Sequence, residues 1–190
     1  MSFKYDWFDI AALGNFDRFL SPMKGQPNLS FLEVGCFEGR ATDWVLRNIL
    51  TSPDSHVTVV DPFTGSHYYQ EDGIITDQLE ERFKENVEHS IGKVTIHKGF
   101  SQEILREIKD SFDFIYIDGS HKAGDTLEDA ILAWRLLKQG GIMIFDDYKW
   151  CRFPDNVYLN PGIGIDAFLT VFKDQYELLL QDYQVAVKKL

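Results

Sequence analysis

The sequence predicts an α/β fold built on a mostly parallel sheet, and three features predict it. Short apolar runs rich in β-branched and aromatic residues alternate with amphipathic stretches. Each of the first five runs ends in glycine, acid or other polar residues. Near the C-terminus, two extended runs flank the polar pair Gln181-Asp182, which predicts an antiparallel hairpin.

The five runs place strands at 29–34, 56–60, 94–97, 112–117 and 141–145, each too short for a typical helix. Helices are expected at 40–50, 76–89, 102–109 and 123–138. In the last of these Leu127, Ile131, Trp134 and Leu137 recur at three- and four-residue spacing as one apolar stripe. Gly140-Gly141 is expected to end that helix. Residues 8–20 predict a helix packed on the sheet before the first strand. The hairpin arms are 177–180 and 184–187. Two long loops, 62–75 and 147–164 (the latter with Pro154 and Pro161), have the length that usually carries function. No repeat or linker interrupts the 190 residues, so a single domain over 1–190 is expected, with 1–28 as an N-terminal helical segment.

Hydrophobic residues make up 44% and charged residues 26%, which excludes wholesale disorder. The net charge of −11 argues against nucleic-acid backbones and anionic membrane surfaces as partners. Cys36 and Cys151 cannot make a disulfide framework, so free thiols in a reducing compartment are expected. The N-terminus lacks a signal-peptide pattern, and no apolar run approaches the roughly 20 residues that span a bilayer. A soluble cytoplasmic protein is the expectation, with a homo-oligomer left open.

In an open parallel sheet, ligands bind beyond the carboxyl ends of the strands. The residues there are Glu33 to Gly39, Asp61, Gly99 to Gln102, Asp118 to His121, and Asp146-Asp147-Tyr148. Gly35-x-x-x-Gly39 opens a helix, where glycines allow a tight turn and a close ligand approach. Cys36 and Phe37 break the dinucleotide fingerprint that a G-x-G-x-x-G turn would make. By itself the turn could equally be a plain strand-to-helix joint. Asp61, closing the second strand, can accept hydrogen bonds from both hydroxyls of a ribose.

These residues resemble a class I S-adenosylmethionine-dependent methyltransferase of the catechol O-methyltransferase-like branch, over most of the chain from about Phe31 to Tyr148. The D-G-x-H and D-D-Y forms look most like a bacterial subgroup of uncharacterised or sugar-modifying enzymes. The resemblance implies a Rossmann-like methyltransferase fold with a seven-stranded sheet. Its first motif, E-x-G-x-x-x-G, is met by Glu33, Gly35 and Gly39, and its ribose-binding acid by Asp61. Its adenine-contacting G-x-S-Q segment is met by Gly99, Ser101 and Gln102. The cofactor-binding set it implies is Glu33, Gly35, Phe37, Gly39, Asp61, Ser101, Gln102 and Asp118. Three departures stand out. Ala41, with Thr42 beside it, stands where a serine often holds the methionine carboxylate. Ser120 stands where an aromatic lines the adenine pocket, leaving Phe63 or Phe100 to supply the apolar wall. Asp147 replaces the final asparagine of the metal site.

Three carboxylates at adjoining strand ends, Asp118, Asp146 and Asp147, would repel one another if ionised, and a hard divalent cation such as Mg²⁺ resolves that conflict. Such a cation would lower the pKa of a substrate hydroxyl and hold it in line for transfer. The alternative is that the acid pair caps a turn while Asp118 contacts the cofactor. His121 matches the position of the branch's general-base lysine, and imidazole titrates near neutrality. A metal ligand or a plain loop histidine are its other readings. Catalysis is thus expected at His121 and Asp118. His67, Tyr68, Tyr69, Tyr148 and Trp150 look substrate-facing, or else anchor their loops. The function implied is transfer of a methyl group from S-adenosylmethionine to a hydroxyl of a small molecule or sugar. The rivals are a nicotinamide-dependent oxidoreductase and a non-catalytic cofactor-binding protein of the same fold.

Overall fold

A computed structural model describes residues 3–66, 68–69 and 71–190. Side chains alternate across the sheet and set its two faces. In β1 (Ser30–Val34), Phe31 enters one core while Leu32 and Val34 enter the other. In β4 (Phe112–Ile117), Phe114 and Tyr116 alternate with Ile115 and Ile117 in the same way. Strands apolar on both faces need cover on both sides. One face is covered by α1 (Trp7–Ala11), α2 (Leu13–Leu20), α3 (Arg40–Asn48) and α4 (Leu79–Val87). The other is covered by α5 (Ser101–Glu107), α6 (Ala123–Leu136) and α7 (Gly162–Val171). Phe16 of α2 packs edge-on against Phe114 and Tyr116, with ring centroids 5.4 and 4.8 Å apart. Burial of each such side chain stabilises the fold by roughly 1.5–3 kcal/mol.

With β2 (His56–Asp61), β3 (Val94–Lys98), β5 (Leu137–Phe145), β6 (Tyr176–Gln181) and β7 (Val185–Lys189), the sheet has seven strands in the order β3-β2-β1-β4-β5-β7-β6. β1 to β5 are parallel, and the terminal hairpin adds β7 antiparallel to β5. The α/β expectation and the hairpin are both met. The chain winds outward in opposite directions from β1 and β4, and the crevice above their carboxyl ends is where such a sheet binds ligands.

Four local expectations need correction. Residues 8–20 form two helices, α1 and α2, broken at Ala12. The helix at 123–138 ends at Leu136, and Gly140-Gly141 lies inside β5, where the register jumps from Phe112–Leu137 to Phe114–Ile142. The glycine pair serves that bulge, with Gly140 at φ +77. The α6 stripe is met at Leu127, Trp134 and Leu137 but not at Ile131, which is exposed, and Ala123, Ala130 and Ala133 are buried instead. Small residues there let neighbours approach closely, and a Cβ on Gly164 of α7 would lie 2.1 Å from the Ala123 carbonyl oxygen. Finally, α7 begins inside the loop expected over 147–164.

Candidate active site

The glycine turn follows β1 because two left-handed residues bracket it, Gly35 at φ +80 and Gly39 at φ +84. A Cβ on Gly35 would lie 2.0 Å from the Asp118 carbonyl oxygen, so only glycine lets β1 and β4 run this close at their ends. Gly39 answers to packing instead: its Cβ would meet the Phe83 ring at 2.8 Å, and the residue does not line the cavity above the turn.

Asp61 secures the turn. One carboxylate oxygen accepts from the Cys36 and Phe37 amides at 2.7 and 3.1 Å, and the other accepts from the Phe63 amide at 2.6 Å. A carboxylate offers about four acceptor sites, so part of its capacity remains for a ligand. Glu33 is buried beneath it and accepts from the Thr42 hydroxyl at 2.6 Å. Burial pushes the Glu33 carboxyl up to about 8, with Thr42 opposing and Asp61 adding to the rise. Thr42 thus faces inward, while Ala41 lines the cavity.

The cavity measures about 1050 Å³, at the upper end of the roughly 300–1,000 Å³ usual for small-molecule sites. Of the expected cofactor set, Glu33, Gly35, Phe37, Asp61, Ser101, Gln102 and Asp118 line it. Phe100 lines it as well and is 61% exposed, whereas Phe63 is buried against Phe83. Of the two rings expected to supply the apolar wall, the one left uncovered in the cavity is therefore Phe100. The N-terminal segment closes one side: the Glu38 carboxylate accepts from the Lys4 and Tyr5 amides, and Trp7 packs on Phe37 with centroids 5.2 Å apart.

At the other end, Asp118, His121 and Asp147 present ligand atoms that all lie within 4.8 Å of one another. Burial, then the neighbouring Asp146 and Asp147 carboxylates, push Asp118 well above the usual carboxylate range. His121 Nε2 lies 3.0 Å from Asp147 Oδ2, and His121 Nδ1 lies 2.6 Å from the Tyr68 hydroxyl. Tyr183 donates to the second Asp147 oxygen at 2.6 Å. Burial alone would raise Asp147, but His121 and Tyr183 hold it below its ordinary value. Asp147 has φ +58, a left-handed conformation, and its carboxylate faces His121 and Tyr183.

Asp146, expected to join these acids, is not brought into that cluster. It accepts from the Tyr116 hydroxyl, from Gln184 at 3.0 Å and from the Asp147 amide at 2.8 Å. Burial and Asp147 raise it to about 6 against the pull of those donors. Tyr116, Tyr183 and Gln184 were absent from the expected site. Only Tyr116 carried a signal, since it shares a strand face with Asp118 two residues on.

Tyr68, Tyr69 and Trp150 line the cavity as expected, and Tyr68 packs 5.4 Å from Trp150. Tyr148 does not line it: its hydroxyl donates to Asp166, which anchors the loop after β5. His67 lies outside the described residues. Arg152 ties the two long loops together, pairing with Asp72 at 2.7 Å and lying 5.2 Å from the Tyr68 ring centre. Neither Cys36 nor Cys151 is in a disulfide. Among the described residues no helix is long and apolar enough to cross a membrane.

Comparison with known proteins agrees with this architecture. An uncharacterized protein of Acanthamoeba polyphaga mimivirus is 26% identical over 137 residues, covering 68% of this chain and 56% of that protein. The chain thus spans little more than half of that relative's length. Two solved structures share the fold. The O-methyltransferase NovP superposes with a TM-score of 0.70 at 18% identity, covering 93% of this chain and 78% of its own. An O-methyltransferase from Bacillus cereus, solved in complex with SAH, superposes with a TM-score of 0.62 at 21% identity, covering 84% and 74%. A family model described as a methyltransferase domain matches residues 32–148. That span runs from β1 to the loop after β5 and bears out the resemblance carried by the strand-end motifs: the chain belongs to the methyltransferase domain family.

Proposed function

We propose that the protein is an O-methyltransferase that moves a methyl group from S-adenosylmethionine to a hydroxyl of a small molecule or sugar, assisted by a divalent metal. The observation that carries this reading is the meeting of Asp118, His121 and Asp147 in the same cavity as the glycine turn. S-adenosylmethionine supplies an electrophilic methyl group when bound. Glu33, Gly35, Phe37 and Asp61 would hold its amino-acid and ribose parts, and Phe100, Ser101 and Gln102 its base. Hard carboxylate oxygens packed against one another fit a cation such as Mg²⁺, and Asp118 is raised first by burial and then by the Asp146 and Asp147 carboxylates that a cation would offset. Asp118 and Asp147 would hold that ion, which would acidify a bound hydroxyl.

His121 supplies the base. An ionised carboxylate only accepts, so the ring nitrogen facing Asp147 carries the proton and Nδ1 is left basic. The acceptor hydroxyl gives its proton to Nδ1, where the Tyr68 hydroxyl now stands. Asp147 then steadies the imidazolium, and Trp150 and Tyr68 shield the site from water. The acidic rim and the net charge of −11 favour a small hydroxylated acceptor over nucleic acid. Two unpaired cysteines suit the cytoplasm. A screen of hydroxylated metabolites with S-adenosylmethionine and Mg²⁺, read out as S-adenosylhomocysteine, tests the reading. Release with a subset of acceptors is expected. Binding of S-adenosylhomocysteine with no release across sugars, phenols and polyols would leave a non-catalytic binding protein.

A further inference from the structure

Asp129 is a buried acid that the proposed chemistry leaves unused. It sits on α6, is 1% exposed and does not line the cavity. Gln102 does line the cavity, and its Nε2 donates to Asp129 Oδ1 at 3.1 Å. The Ser101 hydroxyl bonds to the same carboxylate. The other oxygen, Oδ2, backs onto Gly119, where an added Cβ would meet it at 3.3 Å. Ser101 and Gln102 open α5, whereas Asp129 belongs to the next helix, so one carboxylate joins two elements beneath the cavity wall.

This contact fixes which way the Gln102 amide points. Its NH₂ is committed to an acceptor that has no proton to offer in the ionised state, which turns Oε1 to the opposite side. We propose that Asp129 is a positioning residue that holds the Gln102 carbonyl toward the cavity, so that the site selects a purine carrying an exocyclic amino group over its 6-oxo counterpart. A carbonyl oxygen accepts from an amino group but meets a 6-oxo oxygen lone pair to lone pair. Buried, unpaired polar contacts of that kind discriminate far better than apolar ones. Burial raises the Asp129 carboxyl to about 7, with Ser101 opposing and Asp125 and Glu128 adding to the rise. Above that range the carboxylate holds the amide in the stated sense. The inference rests on the S-adenosylmethionine reading and concerns only how its base is chosen.

Calorimetry at pH 8 with S-adenosylhomocysteine and S-inosylhomocysteine tests it in wild type, Asp129→Asn, Asp129→Ala, Gln102→Ala and the Asp129→Ala/Gln102→Ala double variant. Wild type is expected to prefer the adenosyl ligand by about 10-fold or more, the difference one well-placed hydrogen bond can make. Asp129→Ala should lose most of that preference, Asp129→Asn should recover part of it through its remaining carbonyl, and the double variant should fall no further than Gln102→Ala. The Asn variant keeps the test open if the Ala variant unfolds. An unchanged preference in folded Asp129→Ala or Asp129→Asn, or fully additive losses in the double variant, would overturn the positioning role. Failure of wild type to bind S-adenosylhomocysteine would remove the cofactor reading itself, and the inference with it.

Discussion

His121 Nε2 and Asp147 Oδ2 lie 3.0 Å apart, and this contact gives the two ring nitrogens different work. With the imidazole neutral and Asp147 ionised, the nitrogen on Asp147 is the donor and the nitrogen on Tyr68 is the one able to accept a proton. If His121 is the base, His121→Gln should lower kcat by about 10²–10⁴-fold while S-adenosylhomocysteine affinity is largely kept. Steady-state kinetics at saturating Mg²⁺ checks this. Recovery of kcat at Mg²⁺ concentrations above those that saturate wild type would reassign His121 as a ligand.

Chelation should abolish turnover, and Mg²⁺ or Mn²⁺ should restore it, if Asp118 and Asp147 hold a cation. Asp118→Asn should remove the metal response. Asp146→Asn should weaken it less, because the Asp146 carboxylate is already committed to Tyr116, Gln184 and the Asp147 amide. Full activity after exhaustive chelation would leave the acids as cofactor contacts or caps.

The two turn glycines should differ in sensitivity. Gly35→Ala forces a Cβ into the Asp118 backbone at 2.0 Å in a left-handed conformation, and should cost roughly 3 kcal/mol or more. Gly39→Ala carries the same strain but meets a Phe83 ring, which can shift, and should cost less. Chemical denaturation ranks the two.

Asp61→Ala leaves the Cys36, Phe37 and Phe63 amides without their acceptor. A loss of roughly 3 kcal/mol or more is expected, along with cofactor binding. Asp61→Asn keeps one carbonyl oxygen and should lose less stability.

Glu33 makes stability depend on pH. It titrates near 8 when folded and near its ordinary 4.5 when unfolded, so unfolding releases a proton between those values. Its contribution is whole below about pH 4.5 and declines as pH rises, until it is gone above about 8. Against Glu33→Gln, wild type should lose up to roughly 5 kcal/mol of relative stability over that window. Parallel pH–stability curves for the two proteins would contradict this.

The strand ends were legible in the sequence because alternation and glycine punctuation survive in it: β1, β2 and β4 end where the apolar runs stop. Helix α7 was not, because its Gly-Ile-Gly-Ile start lacks a cap signal and owes its place to packing under α6. The parting of the acid pair was hidden for a related reason. Asp146 and Asp147 are neighbours leaving a strand, and one left-handed residue sends the second carboxylate to His121 while the first turns to Tyr116. Tyr183 and Gln184, and the pairing of Tyr68 with His121, join segments remote in sequence, so only the fold could bring them together. The choice of Phe100 over Phe63 likewise depended on which ring the helices leave uncovered.

The most direct test of oxygen methylation at this site is the fate of a ¹³C-labelled methyl group. Wild type, Mg²⁺ and labelled S-adenosylmethionine are incubated with the best acceptor from the metabolite screen, and the product is read by NMR. A labelled methyl ether on that acceptor is expected, formed by wild type and strongly reduced in His121→Gln. Label on nitrogen, sulfur or carbon would contradict it, as would label retained wholly on S-adenosylmethionine.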